Sequence, residues 1–207
     1  MAAGGVAPPA APIRVQSSFK EKMIMKRITV ILLAVALLLC AGCAFAESTE
    51  TKFELPVLLT SVGQSADYQM VGVAMKNAKI EYSVNNVATE ADLAGIKTLV
   101  LAIGGSSKGL GAAGIDANQE LERVNALIAA AKAADIKIIA LHVGGEARRG
   151  ELSDKFIVPA VAASDYCVAV AAGDKDGLIS NTAKDAGIEI RIIDSLTQLM
   201  TVLPELF

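Results

Sequence analysis

Six short apolar runs, each bounded by turn residues, restrict this chain more than any other feature. They are Pro56–Val62, Lys79–Val84, Thr98–Ile103, Lys137–Val143, Tyr166–Ala171 and Ile188–Ile193. The third is continuously apolar after Thr98 and closes on Gly104-Gly105. A strand with one wet face alternates polar and apolar residues, whereas a continuous run belongs to a strand covered on both faces. Helical patterns fill the gaps. Tyr68, Val71 and Met75 share a stripe within Ser65–Ala78, and Leu121, Val124, Ile128 and Ala131 share another in a helix that Asp116 caps. Thr89-Glu90-Ala91-Asp92 opens a short helix ending near Gly95, and Ser195 with Gln198 opens the last one. Strand–helix alternation from residue 56 onward implies one α/β domain, a three-layer doubly wound parallel sheet of the flavodoxin-like or Rossmann-like kind. The expected strand order is 2-1-3-4-5 with the sixth strand at the edge; 3-2-1-4-5-6 is the alternative.

The segment upstream of the domain reads as an export signal. No charged residue occurs from Ile28 to Ala46, Lys26-Arg27 precede the run, and Ala44-Phe45-Ala46 closes it. A basic start, a short apolar centre and a small-residue end describe a secretory signal peptide over residues 25–46. A membrane anchor is the alternative, since the run is just long enough to span with little tilt. Ala41-Gly42-Cys43 supplies a competing lipoprotein pattern, although Cys40 stands where an aliphatic residue is usual. Residues 1–24 read as a disordered leader or a misassigned start, 47–55 as a spacer and 56–207 as the domain. The expected location is periplasmic or extracellular, with membrane contact only through an uncleaved signal or a lipid on Cys43.

Removal of residues 1–46 takes away Arg14, Lys20, Lys22, Lys26 and Arg27 against Glu21, leaving 14 basic and 21 acidic residues, a net of -7. So acidic a domain is a poor partner for nucleic acid or anionic lipid. Of three cysteines only Cys167 remains, too few for an internal disulfide, and its apolar surroundings make it a buried small hydrophobe.

Ligands of doubly wound sheets bind beyond the carboxyl ends of the strands. That rule gathers three loops on one edge: Ser61–Asp67, Gly104–Asp116 and His142–Gly150. The second holds five glycines in eleven residues, with Ser106, Ser107 and Lys108 as donors. Such a loop favours close approach of amide groups to an anion. Arg148 and Arg149 could clamp a carboxylate or phosphate. The candidate ligand-binding set is Gln64, Ser65, Gly105, Ser106, Ser107, Lys108, Gly109, His142, Gly144, Gly145, Glu146, Arg148 and Arg149. The ligand expected is a small anionic or polyhydroxyl molecule. A transporter partner is compatible with this, although one small domain lacks the two-lobed cleft of usual solute receptors.

No cofactor or metal is called for. Gly109-x-Gly111-x-x-Gly114 matches the dinucleotide fingerprint formally, but after the third strand instead of the first, and no P-loop or Gly-x-Ser-x-Gly elbow occurs. One histidine without paired cysteines makes a poor zinc site. Two other readings stay open: a hydrolase or isomerase using His142 and Glu146 as acid–base partners, and a protein-interaction module.

The segments Ser61–Asp67, Gly104–Asp116 and His142–Ile157 resemble a family of small exported bacterial proteins classed only as a domain of unknown function. The resemblance runs from about Pro56 to the C-terminus. It implies an exported α/β domain and brings no substrate with it.

Overall fold

The computed structural model describes residues 53–207. The leader, the signal segment with Cys40 and Cys43, and the first part of the spacer lie outside the described residues. Six parallel strands form one sheet: β1 (Val57–Val62), β2 (Tyr82–Val84), β3 (Thr98–Ile103), β4 (Lys137–His142), β5 (Tyr166–Val170) and β6 (Glu189–Ile193). Their order is 2-1-3-4-5-6, as expected from the run pattern. Register is regular, with Leu59 beside Val100 and Leu101 beside Ala140.

The central strands β1, β3 and β5 are buried along their whole length, which is why they read as unbroken apolar runs. Period-two alternation divides their side chains between two cores. Leu99, Leu101, Ile138, Ala140 and Cys167 face α3 (Ala117–Ala133), α4 (Glu151–Ala163) and α5 (Leu178–Asp185). Leu59, Val100, Ile139, Leu141 and Val168 face α1 (Asp67–Asn77) and α6 (Leu196–Leu206). Connections running from β3 toward β6 thus use one face, and the connection from β1 back to β2 uses the other. A single crossover handedness requires that division.

Local details depart from the sequence expectation at three places. β2 begins at Tyr82, not Lys79, because Lys79 takes a left-handed φ of 60° and the Ile80 N–H donates to the Met75 carbonyl, closing α1. The stretch expected as a glycine loop after β3 contains a helix, α2 (Ser107–Ala113). The Ser106 hydroxyl accepts from the Gly109 N–H at its start, Leu110 anchors it in the core, and left-handed Gly114 ends it. At the last helix Ser195 makes no side-chain cap; the Gln198 side chain accepts from the Asp194 N–H instead. Asp116 does cap α3, accepting from the Asn118 and Gln119 N–H groups. Cys167 is buried, and desolvation pushes its thiol up to about 12.

Thr60 in β1 has a buried hydroxyl oxygen without a hydrogen-bond partner among the described residues. An unmade bond at that depth costs more than the methyl that could replace it. Thr60→Val is expected to raise unfolding stability by about 1 kcal/mol in urea titrations; an unchanged or lowered midpoint would show that the hydroxyl is satisfied in solution.

Candidate functional site

The strand order reverses at β1, with β2 on one side and β3 on the other, so the crevice of this fold opens beyond its carboxyl end. There the backbone turns through Gly63 (φ 92°) and Gln64 (φ 57°). A left-handed glutamine is disfavoured by its Cβ and needs support from its surroundings. Glu120 of α3, with no exposed surface, provides that support. Its Oε1 accepts from the Gly63 N–H at 2.9 Å, from Gln64 Nε2 at 3.1 Å and from Arg123 Nη2 at 2.8 Å. Its Oε2 accepts from Arg123 Nε at 2.8 Å. Arg123 also donates to the carbonyls of Ala88 at 2.6 Å and Ser61 at 2.7 Å. Gln64 extends the network outward, donating to the Asn86 carbonyl and accepting from Asn86 Nδ2.

Above this network lies an open cleft of about 600 Å³ between the segments that follow β1, β2 and β3. Gln64 and Gly109 meet at its base, where α2 passes so close that a Cβ on Gly109 would stand 1.8 Å from the Gln64 carbonyl oxygen. Ala66, Tyr68 and Gln69 at the start of α1, Asn86 and Val87 after β2, and Ser106, Lys108, Ala112 and Ala113 complete the lining. Lys108 is the only charged side chain among them. It is exposed and makes no ion pair among the described residues.

The loop after β4 does not reach this cleft. Asp67 at the start of α1 is buried, and both its oxygens accept from Arg148 Nε at 3.1 Å. Gly104 and Gly144 crowd that carboxylate: a Cβ on either would come within 2.9 and 2.6 Å of Oδ2. Arg149 is committed elsewhere, donating to Asp154, Asp176 and the Gly173 carbonyl. Those bonds hold both carboxyls below their usual range. Glu146 is an exposed residue that pairs with Lys175. His142 is wholly buried with Nε2 3.1 Å from the Arg148 carbonyl, and burial holds its imidazole below the usual range.

The candidate residues therefore separate into three groups. Gln64, Ser106, Lys108 and Gly109 line the cleft. Ser65, Gly105, Gly144, Gly145 and His142 are packing and turn positions: Ser65 is buried beneath Gly104, and Gly105 lies against Leu152 and donates to Ser153. Ser107, Glu146, Arg148 and Arg149 lie outside the cleft, and the two arginines expected as a clamp are held in three ion pairs, by Asp67, Asp154 and Asp176. Of the expected acid–base pair, His142 has its ring wholly buried, and Glu146 has its side chain exposed and paired with Lys175. The dinucleotide-like glycines serve the helix: Gly109 for contact, Gly111 facing open space, Gly114 as terminator. Tyr68, Asn86 and the Glu120–Arg123 pair escaped sequence reasoning. A signal for Glu120 existed, since it stands four residues before Val124 and seven before Leu127 on the buried stripe.

Fold and site together define an α/β domain over the described residues, with an open cleft at the switch point of its sheet. The chain belongs to the family described as Domain of unknown function (DUF6305), whose model matches residues 54–207. No curated protein sequence matches it. Among solved structures it is similar to a protein described as lipolytic and of the G-D-S-L family from Desulfitobacterium hafniense DCB-2, at 13% identity and a TM-score of 0.31, over 66% of this chain and 75% of that one. It is also similar to the psychrotrophic esterase EstA from Pseudoalteromonas sp., at 10% identity and a TM-score of 0.31, over 66% and 76% of the two chains. Likeness this distant assigns no residue and no reaction. Among the described residues no three His, Cys, Asp or Glu side chains gather to hold a metal, and no helix is long and apolar enough to cross a membrane.

Glu120→Ala leaves the Arg123 guanidinium, 12% exposed, without its carboxylate. The expected loss is about 3–5 kcal/mol of unfolding stability, measured by urea denaturation. A loss below about 1 kcal/mol, the size of a surface pair, would mean that the pair does not hold the turn.

Proposed function

We propose that this domain binds a small polar molecule carrying an anionic group, in the cleft over Gln64 and Gly109, without transforming it. The observation that carries the reading is the charge of the lining. Downstream of residue 46 the chain has a net charge of -7, yet the cleft contains one cation and no carboxylate. The two buried acids nearest in sequence to its base, Asp67 and Glu120, are each matched by an arginine, so neither opposes an anion there. Tyr68, Gln69, Asn86 and Ser106 supply hydroxyl and amide groups suited to the polar remainder of such a ligand. Its size agrees with a small molecule, as binding clefts run from about 300 to 1,000 Å³.

Thermal-shift measurements against inorganic phosphate, citrate, gluconate, glucuronate and neutral sugars test the reading. A member of the anionic set at a hundredfold its Kd is expected to raise Tm by about 5–10 °C, and Lys108→Glu to abolish the shift. An equal response in the Lys108→Glu protein, or none to any probe, would remove the proposal.

The same reading includes export, supported by the pattern of residues 25–46. N-terminal sequencing of the mature protein is expected to begin at Glu47. A blocked, lipidated start at Cys43 would make the protein membrane-tethered, and a cytosolic chain retaining Met1 would overturn export.

A further inference from the structure

We infer that His142 is a pH-sensitive latch on the turn that follows β4, closed while its imidazole is neutral and released when the ring gains a second proton. His142 is the only histidine of the chain. Its ring is wholly buried at the carboxyl end of β4, and Nε2 lies 3.1 Å from the carbonyl oxygen of Arg148. A carbonyl only accepts, so Nε2 carries the hydrogen and Nδ1 is the bare nitrogen. Nδ1 has no partner. What faces it is the backbone of Gly173, where an added Cβ would stand 2.7 Å away.

A proton on Nδ1 would therefore create a buried donor, and a charge, with no acceptor in front of it. Neutral burial is tolerated; cationic burial is not. Three charged groups act on the ring. Arg149, in the same loop, repels the cation, and its Nη1 donates to the Gly173 carbonyl at 2.6 Å. Asp67 at the start of α1 and Asp154 on α4 attract it, but the first is paired with Arg148 and the second with Arg149. Asp67 cannot turn to the imidazolium without leaving the Arg148 guanidinium behind, and Asp154 cannot without breaking its bonds to Arg149, which would keep Asp176 alone.

Something must yield, and the turn is the element that the ring itself holds, through the Nε2 bond to the Arg148 carbonyl. β4 is hydrogen-bonded to β3 and β5 on both sides. Gly145–Arg148 is one turn of 3-10 helix, held from outside by the His142 bond, the Arg148–Asp67 pair and the exposed Glu146–Lys175 pair. Its release frees the Arg148 carbonyl, admits water to the ring, and draws the Arg148 guanidinium away from Asp67. The switch point beside the cleft then opens from the β4 side.

The sign follows from the two states. The ring of the closed turn titrates below the ordinary histidine value near 6.5, and the ring of the open turn titrates at it. Closure is complete above about pH 6.5 and is lost as pH falls below it. Native-state hydrogen exchange on the protein, read by NMR from pH 7.5 to 5, tests this. The Gly145–Arg149 amides are expected to be less protected than those of Leu99–Leu101 and insensitive to low urea. Their protection factors should fall by about tenfold per pH unit below 6.5, the slope of one bound proton. His142→Gln, which can still donate to the Arg148 carbonyl but cannot titrate, should flatten that dependence. The latch is overturned if turn protection is independent of pH, or if it follows the β3 amides at every pH and urea concentration. It is overturned equally if the dependence persists in His142→Gln. Should that variant not fold, the wild-type imidazole resonance decides: a midpoint near 6.5 with the turn still ordered ends the idea.

Discussion

The carboxylate of Glu120 is the contact on which the rest of the site depends. It sits at zero exposure between α3 and the turn after β1, receiving two nitrogens of Arg123, the Gly63 N–H and the Gln64 amide. A buried ion is tolerable only when its lone pairs are filled, and these four donors fill them. In return the carboxylate holds Gln64 in a left-handed conformation that its own Cβ disfavours. From that one residue the cleft is built: Gln64 clasps Asn86 on one wall, and its carbonyl sets how near α2 can lie.

Asp67 repeats the device on the other face of the sheet. It too is a buried acid matched by an arginine, here Arg148 from the loop after β4. The two pairs divide the carboxyl edge into separate halves. On the β1–β3 side Glu120 supports a cleft that holds one cation. On the β4–β5 side Asp67, Asp154 and Asp176 consume both arginines, and His142 lies beneath them. Glycine makes the second half possible, because Gly144 and Gly173 let backbone approach the Asp67 carboxylate and the His142 ring more closely than any side chain would permit.

The inner strands β1, β3, β4 and β5 were legible because burial on both faces leaves no polar alternation, whereas the edge strands β2 and β6 are largely exposed. Thr98–Ile103 has the same limits as run and as strand, four other runs differ by one residue at an end, and Lys79–Val84 shrinks to Tyr82–Val84. Asp116 was legible as a cap, since its carboxylate acts on amides two and three residues away. The stretch Gly104–Asp116 was not. Its glycines suggested an open loop, yet Gly109 and Gly114 serve a short helix held by Leu110 in the core and by contact with Gln64. Propensity argues against a helix there, and tertiary packing overrides it.

By itself the sequence determined the layer architecture and the edge on which polar groups would collect; between the two strand orders it allowed, the tertiary structure decided for 2-1-3-4-5-6. Architecture and edge follow from hydrophobic period and from the rule that parallel strands end on one side. Which polar groups face solvent, and which face each other, was decided only in three dimensions. Arg149 and Lys108 carry the same charge in neighbouring loops of one edge. Arg149 is bound by Asp154 five residues on and by Asp176 twenty-seven residues on, while Lys108 stays at the cleft. A charge pair forms wherever the fold brings opposite groups within hydrogen-bond reach, and that distance is set by the packing of α4 and the β5 turn, not by spacing along the chain.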